Sequence, residues 1–237
     1  MIKIEHVVKT FGNKVAVNDL SLDIPEGKIF GFLGPNGAGK TTTIKILTGL
    51  LQPDSGCVFI NGLNILTNPI EVKKHLAYVP DEPMFFDNMT GIQYLNFISN
   101  VFELSSDQRK KQIEKYSDIF ELEIGDRIVN FSHGMKQKLA LIAAFIHEPK
   151  VIVLDEPLVG LDAKTTKVLK NELRNFSDKG CTVLYSTHVM DVAERFCDLL
   201  AIINKGQLVY SGSFEDLKLQ KGDSNSTLED LFLNLTK

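Results

Sequence analysis

The sequence predicts an α/β fold in which a parallel sheet carries a phosphate loop, an N-terminal antiparallel β region precedes it, and an inserted α-helical segment interrupts it. Three observations predict this. Residues 34–41 read Gly-Pro-Asn-Gly-Ala-Gly-Lys-Thr, a complete G-x-x-x-x-G-K-[ST] phosphate loop between an apolar run and a helix-like one. From 151 to 210 strand-like runs alternate with helical stretches, the rhythm of parallel β/α units. Between about 89 and 147 the apolar period changes from that of strands to that of helices.

Taken in order, the first third is rich in strands. Residues 2–7, 20–24, 28–33, 57–60 and 76–79 have β-like composition, and turns such as Pro25-Glu26-Gly27 and Pro53-Asp54-Ser55-Gly56 separate them. Ile29-Phe30-Gly31-Phe32-Leu33 is apolar without a break, which suits a strand buried on both faces. After the phosphate loop, Ile44, Leu47 and Leu51 recur at helical spacing. The insert shows three apolar helical faces: Tyr94, Phe97, Ile98 and Val101, then Ile113, Tyr116, Ile119 and Phe120, then Leu139, Ile142, Ala143 and Ile146. Strands resume at 151–154, 182–186, 199–203 and 207–210, with helices expected over 163–176 and 190–196. A polar stretch at 221–226 reads as a linker, followed by Leu228, Leu231, Phe232 and Leu235 at amphipathic spacing. The expected organisation is one domain over 1–237, with a core of 1–88 and 148–237 and a helical subdomain of 89–147.

Length and composition bound the function. A chain of 237 residues with 43% hydrophobic content has room for one α/β domain and an insert. Its longest unbroken apolar run, 139–146, falls far short of the roughly 20 residues that span a bilayer, and Met1 opens no secretory pattern. A soluble cytoplasmic chain is expected. Cys57, Cys181 and Cys197 form neither a C-x-x-C pair nor an even set, which suits reduced, packed thiols. A net charge of −4 argues against a surface that coats nucleic acid, and no nucleic-acid partner is expected.

The loop motif has a mechanical reading. Its glycines let backbone N–H groups turn inward around phosphate oxygens, the Lys40 ammonium meets the outer phosphates, and the Thr41 hydroxyl can ligate Mg²⁺. The following helix adds its positive end. The motif alone fits a kinase, a GTPase or a transport ATPase. Further on, Val151-Ile152-Val153-Leu154 runs into Asp155-Glu156-Pro157, an apolar strand ending in two carboxylates. Strand alternation predicts that Asp155 and Glu156 point to opposite sides and divide the work, one holding Mg²⁺ and one facing the attacking water. His188, after the next apolar strand, could bond the terminal phosphate or orient the base.

Together these residues resemble the ATP-binding cassette (ABC) ATPases over nearly the whole chain, implying a phosphate-loop NTPase core of that type. The motifs that carry the resemblance are 34–42 (Walker A), 151–157 (Walker B), Gly160-Leu161-Asp162 (D-loop) and Ser186-Thr187-His188 (switch histidine). Phe131-Ser132-His133-Gly134-Met135-Lys136-Gln137-Lys138 stands where the family carries its Leu-Ser-Gly-Gly-Gln signature. The resemblance implies ATP bound by Phe11, which would stack on adenine, and by Gly34, Pro35, Asn36, Gly37, Ala38, Gly39, Lys40, Thr41 and Thr42. It further implies Mg²⁺ at Thr41, Asp155 and Asp81, catalysis by Glu156 and His188, and a signature of Ser132, His133, Gly134 and Met135 that caps the nucleotide of a second cassette. That partner would be a second ABC ATPase subunit, expected as a homodimer formed on ATP binding. Transmembrane permease subunits would supply the membrane path, with this chain peripheral on the inner face of the cell membrane.

Three positions depart from the family pattern. His133 replaces the first signature Gly, Met135 replaces the Gln and so lacks its polar contact, and Asp81 stands where a Gln usually contacts metal and water. The wording Gly-Met-Lys-Gln, Pro-Asp-Glu-Pro and Leu-Glu-Asp-Leu-Phe-Leu resembles bacterial export-type cassettes. Pro83-Met84-Phe85-Phe86 and Met89 could dock a short helix of a membrane subunit. Two rivals stay open at this level: a non-transport ABC ATPase and a non-catalytic ATP sensor.

Overall fold

The computed structural model describes residues 1–221 and 226–236; the interior of the expected polar linker lies outside these. The chain opens with an antiparallel sheet. Strand β1 (Ile2–Phe11) turns through Gly12-Asn13 into β2 (Lys14–Ile24), and β4 (Ser55–Ile60) and the short β5 (Leu63–Asn64) complete a sheet of order β2-β1-β4-β5. Between β2 and β4 come β3 (Ile29–Leu33) and α1 (Lys40–Leu47). After β5 follow α2 (Pro69–Lys74), β6 (Leu76–Val79), α3 (Gly91–Val101), α4 (Ser106–Ile119), a 3₁₀ turn (Ile128–Asn130) and α5 (His133–Phe145). The chain continues through β7 (Val151–Asp155), α6 (Ala163–Asp178), β8 (Thr182–Ser186), α7 (Met190–Phe196), β9 (Leu199–Asn204), β10 (Gln207–Gly212), α8 (Phe214–Lys221) and α9 (Leu228–Leu235). A second sheet runs β10-β9-β3-β8-β7-β6, parallel throughout except for the antiparallel hairpin β9–β10.

Burial explains the layers. All residues of β3, β7 and β8 are buried, as expected of strands covered on both faces. Their side chains alternate between two cores. Phe30, Phe32, Val151, Val153 and Leu184 pack with Ile2, Ile4, Leu22 and Val58 of the antiparallel sheet and with Ile44 and Leu47 of α1. Ile29, Ile152, Leu154, Val183 and Tyr185 face the other way, into a core continuous with Leu95, Ile113, Tyr116, Leu139, Ile142 and Phe145 of α3, α4 and α5. Helices α3, α4 and α5 thus rest on one face of the parallel sheet, and α1 on the other. Reciprocal side-chain caps fix the starts of α3 (Thr90 with Gln93) and α4 (Ser105 with Gln108), each worth about 1 kcal/mol.

Differences from the sequence expectation have local causes. The first two strands are longer than expected because His6 and Asp19, both at positive φ, form bulges that break strict alternation. Helix α1 stops at Leu47, since Gly49 takes a left-handed conformation; Leu51 lies beyond it and is half-buried. The thiols of Cys181 and Cys197 are each pushed up to about 12 by burial, which leaves them unreactive. Among the described residues no helix is long and apolar enough to cross a membrane.

Candidate functional site

The phosphate loop leaves the buried end of β3 and enters α1 through Gly39, the residue just before that helix. Glycine is required at two places. A Cβ on Gly34 would lie 2.6 Å from the Ile203 carbonyl oxygen, and one on Gly39, at φ 107, would strike the carbonyl of Ala16. The loop is wedged between β2 and β9, and the Gly206 N–H donates to the Ala38 carbonyl at 2.8 Å. Lys40 folds back over it, its Nζ donating to the carbonyl oxygens of Gly34 (2.6 Å) and Pro35 (3.4 Å). The side chain is only 8% exposed, and burial lowers the ammonium's pKa, with Glu156 and Asp155 opposing the shift.

The strand order β3-β8-β7 sets three C-terminal ends side by side, and the acidic groups lie there. The Thr41 hydroxyl donates to Asp155 Oδ2 at 3.2 Å. Burial pushes the Asp155 carboxyl above its ordinary range; the Thr41 hydroxyl pulls it back, and the negative charges of Glu156 and Asp81 add to the rise. The expected division of Asp155 and Glu156 to opposite sides is corrected here. Strand β7 ends at Asp155 and Glu156 adopts φ 48, so strand alternation stops there and both carboxylates line one cavity. His188, two residues beyond β8 and outside the lining of that cavity, places Nδ1 2.9 Å from Glu156 Oε1.

That cavity, of about 340 Å³, is bounded by Pro35, Asn36, Gly37, Gly39, Lys40, Thr41 and Thr42 on one side and by Asp81, Asp155 and Glu156 on another. Phe11, 52% exposed at the end of β1, closes its third side together with Lys14 and Ala16. Gly34 and Ala38 support the loop from behind; neither lines the cavity. Lys14 and Ala16 had no reading in the sequence. The signal was there: a two-residue Gly12-Asn13 turn pairs Lys14 directly with Phe11.

Ser132, His133, Gly134 and Met135 line no part of this cavity. Ser132 caps α5, accepting from the Met135 N–H at 3.2 Å, and the remaining three form the first turn of that helix. The His133 ring lies against Gly160, where any Cβ would collide with it. A larger groove of about 700 Å³ lies along α4, lined by Ile92, Arg109, Ile113 and Glu121 and sharing no residue with the phosphate-loop cavity.

Comparison with known proteins agrees with this geometry. Residues 17–159 match the ABC transporter family model. The chain is 35% identical over 240 residues to the probable multidrug ABC transporter ATP-binding protein YbhF of Escherichia coli, covering 99% of this chain and 41% of that protein. It is 30% identical over 241 residues to the ABC-type transporter ATP-binding protein EcsA of Bacillus subtilis, covering 100% of this chain and 97% of that one. The chain thus spans less than half of YbhF and nearly all of EcsA. A solved ATP-binding subunit of an ABC transporter superposes with a TM-score of 0.96 at 29% identity, covering 100% of both chains. The chain belongs to the ABC transporter family, as an ATP-binding ATPase cassette.

Proposed function

We propose that this chain binds Mg²⁺·ATP in the cavity beside the phosphate loop and hydrolyses it to drive transport through separate membrane subunits. The observation that carries the reading is the convergence of Lys40, Thr41, Asp155 and Glu156 on one cavity, with His188, outside its lining, in contact with Glu156 at 2.9 Å. The adenine would rest on Phe11. The N–H groups of 34–42 would meet phosphate oxygens, and the Lys40 ammonium would exchange its present carbonyl contacts for them, offsetting charge as the terminal P–O bond breaks.

Thr41, Asp155 and Asp81 offer hard oxygen donors that fit Mg²⁺. Asp155 is a buried carboxylate whose charged form a cation would restore, and phosphate oxygens and water would complete the shell of such an ion. When bound, the ion supplies charge neutralisation on the outer phosphates. Glu156 would accept the proton of the attacking water, with His188 holding its carboxylate in place.

Because Ser132, His133, Gly134 and Met135 lie apart from their own cavity, a second cassette is inferred, each signature turn capping the partner's nucleotide. We take that partner to be a second copy. Residues 89–147 would move as a helical subdomain against a core of 1–88 and 148–237. The membrane subunits would dock at the apolar stretch 83–89, where Met84 is 92% exposed and Phe86 packs edge-on against Phe97 at 5.9 Å. The chain would then sit peripherally on the inner face of the membrane. Export is the favoured direction, given the family wording at 78–83 and 132–138 and the multidrug name carried by YbhF.

The test is to co-express the chain with neighbouring membrane-protein genes, purify through the chain, and measure phosphate release by wild type and Glu156→Gln. A co-purifying membrane subunit with activity lost in the variant is the expected result; activity with no membrane partner would overturn the transport reading. Size-exclusion of Glu156→Gln with and without ATP tests pairing, which requires a dimer only with ATP.

A further inference from the structure

The ring of Phe11 stands at the turn end of a hairpin, more than half exposed, and its own side chain has little to hold it. The backbone behind it is held instead by one residue of a distant turn. Asp54 Oδ2 accepts from both the backbone N–H and the hydroxyl of Thr10, each at 2.7 Å, and Oδ1 accepts from Lys9 Nζ at 2.7 Å. The Asp54 N–H donates in turn to the Val8 carbonyl at 2.8 Å. Four hydrogen bonds from a single residue thus fix 8–10, the three positions that lead into Phe11. The turn can come this close only because the next residue but one, Gly56, is at φ 86 and packs its bare Cα against the carbonyls of Glu5 and His6. Lys9, drawn in by Asp54, brings its ammonium to 5.7 Å from the Phe11 ring centroid, within reach of a cation–π contact on the ring.

We propose that Asp54 is a positioning residue for nucleotide binding, clamping Lys9 and Thr10 so that Phe11 is held at a fixed angle as the platform for the base. The inference rests on the reading of Phe11 as the adenine platform. It concerns the base end of the nucleotide only, since Asp54 touches nothing in the phosphate loop. A flat ring binds a flat base well only if its orientation is set before the base arrives. Removing the clamp leaves the ring present but free to reorient, so the expected loss is confined to ligands that carry a base.

Binding of ATP and of inorganic tripolyphosphate, each with Mg²⁺, is measured by calorimetry for wild type, Asp54→Ala, Phe11→Ala and the double variant. The expected result is a severalfold weaker ATP affinity in both single variants, no further loss in the double variant, and unchanged tripolyphosphate affinity in all. Unchanged tripolyphosphate binding also reports an intact fold. If Phe11→Ala weakens ATP and Asp54→Ala does not, the positioning role is overturned while the platform stands. If Asp54→Ala weakens both ligands alike, the residue supports the fold in general and the inference fails. If Phe11→Ala leaves ATP binding unchanged, the platform reading fails and the inference with it.

Discussion

Replacing Glu156 by Gln is the most direct probe of the chemistry, because it keeps the shape of the side chain and removes only its basicity and charge. The backbone at this position is at φ 48 and is equally strained with either residue, so stability should change little. Glutamine retains an acceptor for His188, which now lies 2.9 Å from Glu156 Oε1, but cannot take a proton from water. General acid–base catalysis is worth roughly 10²–10⁴-fold in rate, about 3–5 kcal/mol of barrier. The same change removes a negative charge from a cavity built for a polyanion. At a separation of about 7 Å and an effective dielectric of about 40, that repulsion amounts to about 1 kcal/mol, or about fivefold in affinity. The expected variant therefore binds ATP somewhat more tightly while kcat collapses. Phosphate release at saturating ATP, measured beside equilibrium binding of ATP, separates the two. A variant with wild-type kcat would remove Glu156 from the role of base, and a variant that lost ATP binding as well would show that the carboxylate organises the cavity.

His188→Ala should lower kcat about tenfold to a hundredfold, the worth of a hydrogen bond to a charged group, while leaving ATP affinity intact because the ring meets Glu156; equal loss of kcat and affinity would refute this pairing. Gly39→Ala forces a side chain into φ 107 and against the Ala16 carbonyl, which should destabilise the fold by about 2–4 kcal/mol, lower Tm by several degrees and abolish ATP binding. An unchanged Tm would show that the loop yields more easily than its packing implies. His147 is stacked on Phe102 at 3.7 Å, and burial lowers its pKa from 6.5 to about 4. The unfolded chain therefore binds the proton that the folded one refuses, so stability from this site is complete above pH 6.5 and falls, by up to about 3 kcal/mol, as pH drops toward 4. Chemical denaturation from pH 7.5 to 4.5 should show this slope in wild type and a shallower one in His147→Phe; parallel curves would contradict it.

What the sequence determined by itself was everything whose parts lie within one turn of chain. The phosphate loop is legible because its glycines, Lys40 and Thr41 are consecutive and act through backbone conformation and a helix start. Asp155 was legible as the end of an unbroken apolar strand and His188 as a residue just beyond another, and the parallel sheet as those strands themselves. The short pieces β5 and α2 were not, since two and six residues carry too little periodicity to register. Tertiary structure alone decided how the pieces meet. The order β3-β8-β7 brings residues more than a hundred positions apart to one cavity, and no periodicity encodes strand order. At a single left-handed residue, Glu156, strand alternation ends, and two carboxylates expected on opposite sides line the same cavity. Lys14 enters through hairpin register, and Asp54 reaches the strand before Phe11 from 44 residues away. Local conformation is written in neighbouring residues; contact between distant ones depends on how whole layers pack, and that exists only once the chain has folded.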